Sequence, residues 1–283
     1  MTYCIGIKTK EGIIIASDSR TNAGFDNVNI YSKMFTYDVG DRTILIVTSG
    51  NLGTSQAVYK SIEKDLENKT GIKNLNTCED FDQIAKYVGG LNIKHSSPKG
   101  INTDTVLLGS TFIVGGQIKG QEMELFLVYP QGNYIKPADS KPYLVIGEVK
   151  YGKPILDRVV TPDVSIGDAS RCALISMDST LKSDLTVGPP IDFVVYKKDE
   201  LNITKDKLSF LQGDATALPF QENSFNNIIC IESAFHYKPR DKFIKECVRV
   251  MKPNSRLIIA DIAMNQTNTY YNTIIKHFVK QSI

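Results

Sequence analysis

At 283 residues, 42% of them hydrophobic and 23% charged, the chain can bury the core of one large domain or two small ones and has the composition of an ordinary globule. Its 33 basic and 31 acidic residues leave a formal charge of +2 with no basic run, which argues against nucleic-acid and membrane-surface partners. Five widely spaced cysteines (Cys4, Cys78, Cys172, Cys230, Cys247) form no Cys-x-x-Cys pair and read as free thiols in a reducing cytoplasm, and no signal peptide or bilayer-length apolar run is evident.

The first elements are two strands of a hairpin. Tyr3 to Lys8 alternates, Glu11-Gly12 turns, and Gly12 to Asp18 runs back, which brings Asp18 beside Thr2. Lys33 is the one charge in the apolar stretch Ile30 to Phe35. Thr43 to Thr48 reads as another strand, and Ser49-Gly50-Asn51 opens a helix over Gly53 to Leu66, so the Gly50 N–H is a candidate oxyanion donor. A polar loop leads to a second helix, Glu79 to Leu91, followed by strands over Val106–Val114 and Glu124–Tyr129. Ser165-x-x-Asp168 caps a further helix, and Ile191 to Tyr196 closes the series as a strand.

If the initiator methionine is removed, Thr2 carries a hydroxyl and a free α-amine on one residue: a nucleophile with its own base. The unperturbed amine titrates near about 7.7–8.0, so it can accept a proton at neutral pH. A lysine ammonium nearby keeps it neutral, and an aspartate holds that lysine in place.

Thr2, the strand end Ser17-Asp18-Ser19-Arg20, Ser32-Lys33-Met34 and Ser49-Gly50-Asn51 resemble, in order and spacing, the active-site elements of proteasome-type β-subunits. Further blocks resemble the bacterial Anbu family: Met1-Thr-Tyr-Cys4, Ala16 to Gly24, Ile146-Gly-Glu148, Tyr151 to Arg158 and Val187-Gly-Pro-Pro-Ile-Asp192. The resemblance spans residues 1–200 and implies the four-layer αββα sandwich of N-terminal nucleophile hydrolases, an α+β fold. It also implies a threonine-type peptidase or amidohydrolase acting on a peptide or protein substrate, without cofactor or metal. Catalysis would fall to Thr2, Asp18, Lys33 and Gly50. For the late aspartate and serine that position the amine, the match is Asp178 with Ser179 or Ser183. Where a small hydroxyl residue is expected after Glu148 the chain has Val149, which can neither donate nor accept. Related subunits form rings or open helical arrays, so the resemblance implies a homo-oligomer.

Beyond Lys197-Lys198-Asp199-Glu200, read as a seam, the character changes. Gly213-Asp214-Ala215, Leu218-Pro219-Phe220, an apolar strand to Glu232, a helix through Met251 and a strand Leu257 to Asp261 make an α/β unit. Residues 205–263 resemble the middle of class I S-adenosylmethionine-dependent methyltransferases, a partial Rossmann-like α/β fragment in which Asp214 matches an adenine-contacting aspartate. The glycine-rich strand–turn–helix that should precede it is missing, so the expectation is a fragment without cofactor. Residues 264–283 read as an amphipathic helical tail. His95, His236 and His277 are not spaced as metal ligands. The alternatives are a methyltransferase or a non-catalytic scaffold with the peptidase fold.

Overall fold

A computed structural model describes residues 2–22, 28–68, 73–96, 108–200, 203–208, 214–231, 237–264 and 271–279. The chain divides into two units between Phe210 and Leu211.

The first unit begins with strands β1 (Tyr3–Lys8) and β2 (Gly12–Asp18), the expected hairpin, followed by the short pair β3 (Arg20–Asn22) and β4 (Val28–Ile30). Next come β5 (Met34–Val39), β6 (Arg42–Gly50), α1 (Leu52–Glu67) and α2 (Phe81–Ser96). Then follow β7 (Ser110–Ile118), β8 (Glu124–Val128), β9 (Tyr134–Ile135), β10 (Tyr143–Gly147), α3 (Lys153–Val159), α4 (Ile166–Ser183), β11 (Ile191–Lys197) and β12 (Ile203–Leu208). They make two five-stranded sheets, ordered β10-β1-β2-β11-β12 and β5-β6-β7-β8-β9.

Strand alternation sets the layers. Ile13 and Ile15 of β2 meet Leu45, Val47, Ile113 and Leu125 of the other sheet, forming the core between the sheets. The opposite face, Ile14 and Ala16 with Tyr3, Ile5 and Ile7 of β1, packs on Leu156 of α3 and Ala173 and Met177 of α4. Ile44, Ile46, Phe112 and Val114 turn outward against Val58 and Ile62 of α1 and Ile84 and Val88 of α2. Both sheets are therefore buried on both faces, and the unit is a four-layer αββα sandwich, as expected. β7 lies four residues later than its hydrophobic run suggested, because its start is fixed by pairing Ser110 with Gly50. The expected seam, Lys197–Glu200, instead holds the last residue of β11 and the start of the link to β12; the two strands pair antiparallel, Ile191–Tyr196 against Ile203–Leu208, so this unit runs on past residue 200.

The second unit contains β13 (Phe225–Ile231), α5 (Arg240–Val250), β14 (Met251–Met264) and β15 (Tyr271–Val279). β13 and β14 are parallel, as the strand–helix–strand pattern requires, and Phe243 and Cys247 of α5 cover Cys230, Leu257 and Ile259. The expected helical tail is wrong over 271–279. That stretch is a strand antiparallel to β14, from Tyr271 opposite Met264 to Val279 opposite Arg256. Adjacent Thr273, Ile274 and Ile275 favour extended backbone, and the edge of β14 supplies the ladder hydrogen bonds.

Candidate functional site

Thr2 stands at the foot of β1, 9% exposed, on a cavity of about 290 Å³ shared with Thr21, Lys33, Thr48, Ser49, Gly50, Leu52, Ser55 and Gly147. Its carbonyl accepts from the Glu148 N–H at 2.7 Å, just beyond the end of β10. Gly147 makes this approach possible: its φ is +89°, and a Cβ there would lie 1.8 Å from the Thr2 oxygen.

The Asp18 carboxylate, fully buried at the end of β2, has both oxygens occupied. Oδ1 accepts from the Lys33 ammonium at 2.7 Å and the Tyr3 N–H at 3.0 Å, and Oδ2 from the Gly188 N–H at 3.2 Å. Burial pushes its pKa up, opposed by the Lys33 charge and these hydrogen bonds. Lys33 sits between β4 and β5, 5% exposed, and donates also to the Arg20 carbonyl at 2.6 Å. The lysine is thus aimed into the cavity from a fixed position, with a carboxylate behind it.

Gly50 ends β6 at φ +121°, tight against the Gly109 carbonyl and the Ser110 backbone, and lines the same cavity. Behind it is a hydroxyl network that sequence reasoning missed. Ser55 bonds Thr48 at 3.0 Å and Ser110 at 2.9 Å, and the Ser55 and Ser110 hydroxyls both reach the Asn51 carbonyl at 2.9 Å. Asn51 caps α1 by accepting from the Thr54 N–H at 3.0 Å. Scattered small polar residues in a buried layer were the signal available.

Asp178 lies elsewhere. Its carboxylate, half-exposed on α4, pairs with Lys182 one turn on at 2.8 Å, and Ser183 is exposed at the helix end. Asp184, the residue that caps α4, accepts through Oδ1 from the Thr186 N–H at 2.8 Å and hydroxyl at 2.6 Å. Partial burial raises its pKa, but the Thr186 bonds and the positive charge at the chain's amino end outweigh this and hold it below the usual carboxylate value. The readable signal was Asp184-x-Thr186, an Asx turn immediately after a helix. Val149 is exposed.

The five cysteines are all free, as expected. His95 bonds Ser61 at 2.8 Å, and His236 lies outside the described residues. Among the described residues no group of His, Cys, Asp and Glu could hold a metal ion, and no helix is long and apolar enough to cross a membrane.

The chain matches the Proteasome subunit family over residues 2–196. In structure it is similar to Anbu from Hyphomicrobium sp. strain MC1, at 38% identity and TM-score 0.67, over 73% of this chain and 87% of that one. It is also similar to the helical assembly of the Anbu complex from Pseudomonas aeruginosa, at 39% identity and TM-score 0.63, over 72% and 86%. The chain belongs to the proteasome subunit family, in its Anbu branch. A second match, to a Methyltransferase domain, covers residues 187–259. There the chain is 39% identical over 69 residues to erythromycin 3''-O-methyltransferase of Saccharopolyspora erythraea, 24% of this chain and 22% of that protein. The chain thus spans about a fifth of that methyltransferase.

S-adenosylmethionine is the cofactor a methyltransferase domain implies, and the described residues do not assemble a site for it. The stretch that opens the match, Ile191–Leu208, forms β11 and β12 of the proteasome-like sheet, with Val194 and Tyr196 in its core. Among the described residues of the second unit, β13 is an edge strand, so there is no crevice at a sheet's switch point. Asp214 is exposed and spends one carboxylate oxygen on the Thr216 N–H and hydroxyl, both at 2.8 Å, closing its own turn. Leu218 and Phe220 are fastened to α5, where the Arg249 guanidinium donates to their carbonyls at 2.9 and 2.8 Å.

Proposed function

We propose that this chain is a threonine-type hydrolase of peptide or amide bonds, with Thr2 as nucleophile once Met1 has been removed. The supporting observation is the buried, fully hydrogen-bonded Asp18 carboxylate holding Lys33 into the cavity that Thr2 and Gly50 line. The freed α-amine takes the Thr2 hydroxyl proton as Oγ bonds to the substrate carbonyl carbon. Lys33 disfavours a second positive charge there and keeps the amine neutral beforehand. The Gly50 N–H faces the oxyanion. Collapse breaks the C–N bond, the ammonium hands its proton to the departing amine, and an ester remains on Thr2. Water attacks that ester with the amine again as base, releasing the acid and restoring Thr2. Asp184, rather than Asp178, orients the amine.

The second unit, in this reading, binds no S-adenosylmethionine, and the protein is a cytoplasmic homo-oligomer, a ring or an open helix. Intact mass of the purified protein should show Met1 removed. A peptide epoxyketone should label the parent and leave Thr2→Ala unlabelled; a retained methionine in every preparation, or labelling that survives Thr2→Ala, sinks the hydrolase. Calorimetric titration with S-adenosylmethionine should give no heat of binding, and a stoichiometric isotherm would restore the methyltransferase.

A further inference from the structure

We propose that Tyr3 is a positioning residue for Thr2: its hydroxyl, tied to Ser176 of α4, fixes the strand end from which the nucleophile projects. This rests on the reading of Thr2 as nucleophile. A nucleophile at a chain end lacks covalent support on one side, and terminal residues fray unless tied down. Tyr3 supplies that support in two directions.

Outward, its ring is fully buried against α3 and α4, and its hydroxyl is 2.6 Å from the Ser176 hydroxyl. Ser176 also donates to the Gly152 carbonyl at 2.9 Å, which leaves its oxygen able to accept from Tyr3. The chain Tyr3 to Ser176 to Gly152 therefore ties β1 to α4 and to the residue that precedes α3. It also has no spare room, since a Cβ on Gly152 would lie 2.2 Å from the Tyr3 oxygen. Inward, the Tyr3 amide donates to Asp18 Oδ1, the oxygen that also takes Lys33. One residue thus joins Thr2, the Asp18–Lys33 pair and the outer helices. Removing the hydroxyl breaks the Tyr3–Ser176 bond and lets the ring shift. A displacement of about 1 Å at a reacting group can cost on the order of a hundredfold in rate.

The test measures covalent labelling of Thr2 by a peptide epoxyketone in the parent, Tyr3→Phe, Ser176→Ala and the double variant. Inactivation is resolved into limiting rate and reagent affinity, and melting temperature is recorded in parallel. Tyr3→Phe should lower the limiting rate roughly tenfold at unchanged affinity. Ser176→Ala, which removes the same Tyr3–Ser176 bond together with the Ser176–Gly152 bond, should lower it at least as much, and the double variant should be no slower than Ser176→Ala alone. A lowered melting temperature with a parental limiting rate makes the hydroxyl a packing anchor and overturns the inference, as do losses that add in the double variant. Should Tyr3→Phe fail to fold, Ser176→Ala decides by the same criterion. A parent that is not labelled at Thr2 removes the nucleophile reading and this inference with it. A labelled parent with unchanged variants removes only the inference.

Discussion

Replacing Lys33 by alanine should destabilise the first unit in a strongly pH-dependent way. Asp18 is fully buried, and Lys33 is its one cationic partner among the hydrogen bonds it makes. Breaking a buried pair by removing one partner costs about 3–5 kcal/mol. The loss has a ceiling, because Asp18 can take up a proton instead of remaining charged. Protonating a carboxyl of unperturbed pKa about 3.9 at pH 7 costs about 4 kcal/mol, and the ceiling falls by about 1.4 kcal/mol per pH unit, to about 1.5 at pH 5. The sign follows from linkage. A carboxyl whose folded pKa is raised contributes stability that is full below the unfolded value and is lost as pH rises through the folded one. In the parent, Lys33 opposes the upward push of burial, which keeps this window narrow. In Lys33→Ala nothing cationic opposes it, so the deficit should grow from pH 5 to pH 7. Urea unfolding of both proteins followed by circular dichroism at pH 5, 6 and 7 measures it, as the midpoint shift multiplied by m. A deficit of equal size at all three pH values would refute the argument, because Lys33 would then act by packing and not by charge.

Gly147→Ala should lower stability by about 1–3 kcal/mol, the usual cost of a strained backbone position, and abolish epoxyketone labelling at Thr2, since the Thr2 carbonyl occupies the space of the new methyl; a melting scan with intact mass checks both. Asp184→Asn should slow labelling of Thr2 and remove a stabilisation that, for a carboxyl held below its usual value, is present above pH about 4 and lost on acidification. Comparing parent and variant melting temperatures from pH 7 to pH 3 tests this, with convergence expected at the acid end. The Cys247 thiol, pushed up to about 11 by burial, should resist iodoacetamide at pH 8 in the folded protein and react once urea unfolds it; peptide mapping reads the difference.

What was legible followed from short-range periodicity. Two strands of matched alternation with a tight turn can pair in only one register that buries both faces, so Asp18 falls near Thr2 before any coordinates are known. Asp184 was not legible in the same way. A match carried by residue type near a helix end depends on where the helix stops; α4 runs to Ser183, which puts Asp178 on the helix, six residues before Asp184 at its cap, the residue proposed here for the amine. The Ser55–Ser110–Thr48 network joins three separate elements and has no local pattern to announce it. The tail was misread because Tyr271 to Val279 carries apolar residues at spacings open to either element, and the free edge of β14 decided between them.

The C-terminal half shows two family patterns competing for one strand. Two family matches overlap at residues 187–196, and one strand cannot serve two sheets. β11 pairs with β2 over seven residues, from Ile191 opposite Asp18 to Lys197 opposite Gly12, and buries side chains on both faces against two separate cores. A strand at the edge of the second unit would gain only one neighbour, β13, whose outward Ile229 remains exposed. Two buried faces exceed one, so the proteasome-like sheet wins the strand. The same pairing holds the Gly188 amide, three residues before β11, against Asp18. The strand where the two matches meet is therefore tied to the loop that helps fix the carboxylate beneath Lys33.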